Sequence, residues 1–418
     1  MRTTPPAPIY LDHAATTPLR PEVAEAMARA QASAWANPSS GHALGRAAKR
    51  ALEDARERIL HLLGGRATGA GRDRLVFTSG ATEANRLAVL GLAGGQPGTF
   101  ATSARDHTGL RALRGDLADR GWRVVETPLT AAGRIDPHWE FPASGPGGIW
   151  ATTLVCGQTG SIEDVRRVTT ALPRGFVHVD ATQAVVTQEV SFAALDCASL
   201  AVAPHKFEGP RGIGAVVYRG DLSVEPVVPG PQEQGLRGGT EPVVLAAGFA
   251  RALELAVAER DATARHLTAL REHFATAFGA AAVAAGLTVV RISAAGSPHV
   301  LTLSVPGSDR QAFVMAADLA GVCCSTGTAC ASGSSTPAPA LVAMGLAPDV
   351  VAGAIRFSFG RTTLPADVNA AVARLAPVLA RVAAAGAGTE SWRDRVDRSP
   401  PAPHRVRPWG RSCGSCGR

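Results

Sequence analysis

Short apolar runs rich in valine, isoleucine and leucine recur along the first half of the chain, alternating with longer stretches of helical periodicity. A run of about four to eight apolar residues between turn-forming residues is the signature of a strand buried on both faces. This pattern predicts strands at 75–78, 98–102, 123–127, 149–154, 176–179, 200–203 and 214–218. Between them, residues 81–92, 107–120 and 162–172 are helix-compatible. Seven strands separated by helices imply an α/β architecture with one large, mostly parallel sheet.

The pattern changes after residue 243. An alanine-rich, helix-favouring stretch over 243–278 leads to "LTVVRIS" and "HVLTLSV", then to predicted helices at 310–320 and 366–384. A second, smaller α+β domain is expected here. The organisation expected is an N-terminal segment (1–16) folded onto the small domain, a large domain (17–255), the small domain (256–387) and a tail (388–418). No apolar run approaches the length of about 20 residues that spans a bilayer. The first residues lack the apolar core of a signal peptide, so a cytoplasmic enzyme is expected.

Composition changes this picture little, since 46% hydrophobic and 18% charged residues are ordinary for a globular enzyme. The net charge of +7 would suggest a nucleic-acid ligand if it were spread over the fold. It is not: seven arginines against three acids fall between Glu390 and Arg418. That Pro-, Arg-, Ser- and Gly-rich tail reads as disordered, and nucleic acid is not expected as a direct ligand. Seven irregularly spaced cysteines do not form a disulfide framework. Cys413 and Cys416 in the tail supply only half of a tetrahedral zinc site, and no metal is expected.

Candidate chemistry starts with an imbalance. Of 42 basic residues only Lys49 and Lys206 are lysine. Lys49 lies in "GRAAKRALEDARERIL", an amphipathic pattern with room for a solvated charge. Lys206, in "LAVAPHKFEGPRGIGAVVYRG", follows an apolar run and precedes Gly209, Gly212 and Gly214. A primary amine can lose its proton and condense with a carbonyl, which a guanidinium does not do. Upstream, in "RLVFTSGATEANRLAVL", a strand ends in small hydroxyl residues where a helix begins. Such a junction either caps the helix or binds a phosphate on its free N–H groups. In "FVHVDATQAV" a strand delivers Asp180 to its C-terminal end, with Gln183 one turn further on. Asp180 either caps a helix or is the anion that keeps a pyridinium nitrogen protonated. Phosphate cradle, acid and amine, in this order along one sheet edge, describe a pyridoxal phosphate site.

From "IYLDHAATTPLRPEV" to "AIRFSFGRTT" the chain resembles fold-type I pyridoxal-phosphate enzymes of the aminotransferase class V group, and among them the NifS/IscS-like cysteine desulfurases. The resemblance implies that Lys206 carries pyridoxal 5'-phosphate covalently. It implies that His107, in "RDHTGL", stacks on the ring and helps move protons, that Asp180 partners the ring nitrogen, and that Gln183 donates to the ring hydroxyl. Thr82 and the backbone of Ala81 match the phosphate cradle, and His205 adds a contact. Thr240, in "LRGGTEPV", matches a threonine that reaches the phosphate of the neighbouring subunit, which implies a homodimer. Asn37, in "ANPSSGH", and Arg356 match the groups that hold the substrate carboxylate, for which arginine gives a planar two-point grip. Cys330 matches the catalytic cysteine, in a run of small and polar residues that reads as a loop. The implied reaction converts L-cysteine to L-alanine and passes sulfur, as a Cys330 persulfide, to an acceptor protein or thiol. Cys323 and Cys324 read as the buried end of a strand.

The chain departs from the family pattern in three places. Cys156 and Gly157 replace an asparagine near the ring hydroxyl, a lost hydrogen bond unless Gln158 compensates. Ala203 and Pro204 stand where a serine and a glycine are favoured, and Arg86 where a second asparagine is common. Two other readings stay open. One is a different class V reaction (aminotransferase, selenocysteine lyase or epimerase), against which the loop thiol argues. The other is a non-catalytic scaffold with a basic tail, against which the single retained lysine argues.

Overall fold

The computed structural model describes residues 7–69, 71–142, 147–172, 176–292, 296–327 and 337–387. Strand β1 (Ile9–Tyr10) precedes helices α1 (Pro21–Ser33) and α2 (Ala43–Leu62). An alternating series follows: β2 (Arg74–Thr78), α3 (Ala81–Leu92), β3 (Thr99–Ser103), α4 (Thr108–Arg111), α5 (Leu113–Ala118), β4 (Arg123–Thr127), β5 (Gly148–Thr153), α6 (Val165–Ala171), β6 (Phe176–Asp180), α7 (Phe192–Leu195), β7 (Ser199–Val202) and β8 (Gly214–Tyr218). The remainder comprises α8 (Val243–Ala284), β9 (Val290–Arg291), β10 (Val300–Ser304), α9 (Arg310–Leu319), β11 (Val322–Cys323), α10 (Pro339–Ala343), α11 (Pro348–Ala352), β12 (Ala354–Ser358) and α12 (Pro365–Ala387).

The seven expected strands form one sheet in the order β2-β8-β7-β6-β5-β3-β4, parallel except where β8 pairs. Strand residues alternate between two apolar layers. Leu75, Phe77, Val177, Val179, Leu200 and Val202 face the layer built with α2 and α8, while Val76, Ala201 and Val216 face α3. Burial on both faces is why these strands read as continuous apolar runs.

The smaller unit has an antiparallel sheet, β12-β10-β9, and a parallel pair of β1 with β11. Ile9 and Leu11 of the N-terminal segment are buried in its core with Phe274, Phe278, Phe357 and Leu375. Helix α8 is 42 residues long, about 63 Å. Its first turns, through Leu253, belong to the large core, and Leu267 to Ala282 belong to the small one. The expected division at residue 255 therefore falls inside one unbroken helix.

Helix α12 corrects one sequence expectation. Over Pro365–Ala385 it is long and apolar enough, by length and composition, to cross a membrane. Its apolar stripe, Val368, Ala371, Leu375, Val378 and Leu379, is buried in the small core against α8 and α9. Packing against other helices accounts for the apolarity of that stripe.

Candidate active site

A cavity of about 800 Å³ opens at the C-terminal ends of the parallel strands, the usual ligand site of such sheets. Lys206 ends a single 3₁₀ turn, Pro204–Lys206, that follows β7. Its Nζ donates to the carbonyls of Ala14 (2.6 Å) and Ala15 (2.8 Å). His205 Nδ1 lies 3.2 Å from Thr16 Oγ1, and the His205 carbonyl accepts from Thr17 N at 2.9 Å. The N-terminal segment is thus stitched to the lysine turn. Gly209 is required there, because a Cβ would lie 2.4 Å from the Pro204 Cβ. Burial, then the charges of Lys206, Arg211 and His107, push His205 down to about 4, so it is neutral at pH 7.

Asp180 ends β6 with 3% exposure. Its Oδ2 accepts from Asn85 Nδ2 at 2.8 Å, and its Oδ1 from Thr182 N at 3.0 Å. The neighbouring strand end, Thr153, is paired with Asp180 and also lines the cavity. Across from these lie Ser79, Gly80, Ala81 and Thr82, at the N-terminus of the 12-residue α3. Gly214 lets α3 start this close to the sheet, since a Cβ there would lie 2.6 Å from the Gly80 carbonyl carbon. His107 caps α4, its Nδ1 accepting from Gly109 N at 3.0 Å, and lines the same cavity. Its loop is pinned from below by fully buried Arg105 and Asp106. Arg105 donates to the carbonyls of Gly133, Thr153 and Ser161, while Asp106 accepts from Thr153 N and Ser103 N.

Gln183 and Arg356 form the opposite wall. Gln183 Nε2 donates to the Ala14 carbonyl at 2.8 Å, and its Oε1 accepts from His299 Nε2 at 3.1 Å. Arg356 donates to the Gly157 carbonyl (2.8 Å) and pairs with Asp12 Oδ1 (2.7 Å), while its buried Nε has no partner among the described residues. Gly157 leaves room beside Gln183, because a Cβ would meet the Gln183 Nε2 at 3.3 Å. Gln158 lines the cavity, but its Oε1 accepts from Ala340 N at 3.2 Å.

Lys206, His107, Ala81, Thr82, Asp180, Gln183, His205 and Arg356 therefore converge on one cavity. Asn37 lies elsewhere in the single chain. It lies on the exposed connection between α1 and α2, its Oδ1 accepting from Ser39 N, and lines a separate cavity of about 330 Å³ with Trp35 and Thr240. That cavity also takes in Val243, Val244 and Leu245 at the start of α8 and includes neither Lys206 nor Arg356. Thr240 also lies outside the Lys206 cavity.

Cys330 and the tail cysteines lie outside the described residues. The described cysteines are poor nucleophiles: Cys156 is buried with its Sγ 3.2 Å from the Arg105 carbonyl, and burial raises Cys197, Cys323 and Cys324, the last to about 12. Cys323 ends the two-residue β11 and Cys324 follows it, both half-buried where a buried strand end was expected. Sequence reasoning missed Asn85, His178, Asp12 and His299. His178 was accessible in principle, since it stands two residues before Asp180 and so faces the same side of β6.

The donor set fits pyridoxal phosphate. The hydroxyls of Thr153 and Thr182 line the cavity, buried and without a partner among the described residues, beside the Asp180 carboxyl, an amine and a helix N-terminus. The pattern of the family described as "Aminotransferase class-V" matches residues 9–371. The chain belongs to the aminotransferase class-V family. It is 33% identical over 371 residues to the cysteine desulfurase IscS of Dictyoglomus turgidum, covering 86% of this chain and 92% of that one. It is 31% identical to the selenocysteine lyase of Bos taurus, covering 90% and 94%. A solved NifS-like protein superposes with a TM-score of 0.79 at 25% identity, covering 90% of this chain and all of that one. The fold is that of these class V pyridoxal-phosphate enzymes, and the cysteine desulfurases are the relatives that identify the enzyme type.

Proposed function

We propose that this class V enzyme is a cytoplasmic cysteine desulfurase that takes L-cysteine, releases L-alanine and hands the sulfur to an acceptor protein or thiol. The observation that carries the reading is the convergence of Lys206, Asp180 and the α3 N-terminus on one cavity, in a chain whose relatives include several cysteine desulfurases. Pyridoxal 5'-phosphate, when bound, supplies an electron sink that labilises bonds at the substrate's α-carbon. Ala81, Thr82 and neutral His205 would hold its phosphate, Asp180 its ring nitrogen and Gln183 its ring oxygen. His107 would cover the ring face.

Lys206 Nζ must first leave the carbonyls of Ala14 and Ala15; as a free amine it is the group placed to take and return the substrate's α-proton. Arg356 would bind the substrate carboxylate, exchanging Asp12 for a second anion at a site where bidentate geometry is favoured. The Cys330 thiolate would attack the substrate sulfur: a sulfur–sulfur bond forms, the carbon–sulfur bond breaks, and the three-carbon fragment takes up a proton and leaves as alanine. Asn37 and Thr240, exposed together, would face the corresponding cavity of a second copy in a homodimer. Nucleic acid has no part in this reading.

Incubation with L-cysteine without reductant, with alanine assayed and the Cys330 peptide examined by mass spectrometry, tests it. Alanine together with one added sulfur atom on Cys330 is expected. The likeness to selenocysteine lyase favours one alternative, and alanine released from L-selenocysteine but not from L-cysteine would establish it instead.

A further inference from the structure

Behind Asp180, away from the cavity, lies a row of polar side chains that the carboxylate's direct contacts do not require. Asn85 of α3, His178 of β6 and Ser199 of β7 are each fully buried. Ser199 Oγ is 2.9 Å from His178 Nδ1, His178 Nε2 is 2.9 Å from Asn85 Oδ1, and Asn85 Nδ2 is 2.8 Å from Asp180 Oδ2.

The chemistry of each group determines the direction of all three bonds. A carboxylate accepts, so Asn85 donates its amide nitrogen to it, and its Oδ1 is left to accept from the imidazole. His178 Nε2 therefore carries a hydrogen. Burial holds this ring down at about 4, even against the opposing charge of Asp180, so it is neutral and has one hydrogen only. Nδ1 must then accept from the Ser199 hydroxyl. Every hydrogen in the row points toward Asp180.

We propose that Ser199, His178 and Asn85 form a one-way donor relay that keeps Asp180 anionic and aimed, so that the ring nitrogen of bound pyridoxal phosphate retains its proton. Asp180 makes no ion pair with any described residue. A carboxylate buried in this way depends on hydrogen-bond donors to stabilise its charge. Donors aligned head to tail polarise one another and deliver more to the last acceptor than an isolated amide would. None of the three residues lines the cavity, so they are positioning residues that act through Asp180. The proposal rests on the cofactor reading above.

The test uses the full chain with and without pyridoxal phosphate. Nitrogen-15 spectroscopy of the histidine rings, with His178→Gln identifying the resonances, should show one neutral tautomer with Nε2 protonated, from about pH 6 to 9. Loading the cofactor should shift that resonance, although it lies two residues removed from the ligand. His178→Ala and Asn85→Ala should weaken cofactor binding about tenfold, in the range seen when supporting hydrogen bonds are removed. His178→Gln should recover most of the loss, and Ser199→Ala should cost about threefold.

If the row only satisfies buried polar groups, the variants would melt earlier while the cofactor's dissociation constant and the ring resonance stayed unchanged, and the relay would be overturned. A Nδ1-protonated tautomer would overturn it as well. If Asn85→Ala does not fold, Ser199→Ala and His178→Gln still decide. Wild type that takes up no pyridoxal phosphate would sink the cofactor reading and the relay with it. Normal uptake in wild type with unshifted variants would sink the relay alone.

Discussion

On the floor of the cavity, Asp180, Lys206 and the start of α3 each come from a stretch of a few residues at the end of a strand, whereas the wall pairs Arg356 with Asp12, 344 residues away. The floor gains its polarity locally. A parallel strand stops, its last side chain faces the cleft, and a turn or helix start adds N–H groups. The wall gains its polarity by opposition. Arg356 meets Asp12, Gln183 meets His299, and the Ala14 carbonyl accepts from both Gln183 and Lys206. Asp180 and the α3 start are therefore preorganised, while Lys206 and the wall's groups must exchange partners before they can serve a ligand.

That contrast can be broken most severely at the amine. Lys206→Ala should lower alanine formation on the order of 10³-fold or more and abolish the cofactor's covalently bound absorbance, because no other described lysine lines the cavity. A yellow, active variant would remove Lys206 from the chemistry. On the wall, Arg356→Lys keeps the charge but loses the two-point fork. It should reduce kcat/KM about 100-fold, mainly through KM, as steady-state kinetics would reveal. An equal loss in kcat alone would mean that Arg356 holds the fold of the wall and not the substrate.

Acid should weaken floor and wall together. His178 behind the floor, His205 on it and His13 of the N-terminal segment are pushed by burial to about 4, and His299 beside Gln183 to about 3. The unfolded chain takes protons on these rings near pH 6.5 while the folded chain refuses them until about pH 4. Stability is therefore whole above about pH 6.5 and falls as pH drops through that window, by about 1.4 kcal/mol per pH unit for each fully buried ring. Urea midpoints measured between pH 7 and pH 5 should show the fall, and His299→Gln should flatten it. A midpoint independent of pH would contradict the burial of these rings as neutral groups.

The smallest effect belongs to the ion pairs at the outer edge. Arg361 pairs with Glu208, two residues past Lys206, at 2.8 Å. Arg361→Ala should cost about 0.5 kcal/mol in thermal unfolding, as partly exposed pairs do. A loss of several kcal/mol would mean that this contact, between the small unit and the lysine turn, holds the wall against the floor.

The large sheet was legible because its strands are buried on both faces, which leaves a strong apolar signal. Residues 123–127, 214–218 and 81–92 were read with the bounds they have in the structure. The helix expected over 107–120 is broken at Ala112 into α4 and α5, with His107 as a cap and not as a first turn. The strand expected in "LTVVRIS" shrinks to Val290–Arg291, because only those residues pair with β10. Asn37 came from a local motif, and a local motif does not reveal that its loop lies at a separate cavity with Thr240.

The sequence by itself determined the seven-stranded α/β fold, the family, and the residues at strand ends that make the floor. Each of these rests on short-range information: apolar period, turn chemistry and the order of motifs along the chain. Only the tertiary structure decided which polar groups neutralise one another, namely Arg356 with Asp12, Gln183 with His299, and the Ser199–His178–Asn85 row with Asp180. Those pairings depend on distances across folded layers, and a buried polar group must find whichever partner the packing brings within about 3 Å.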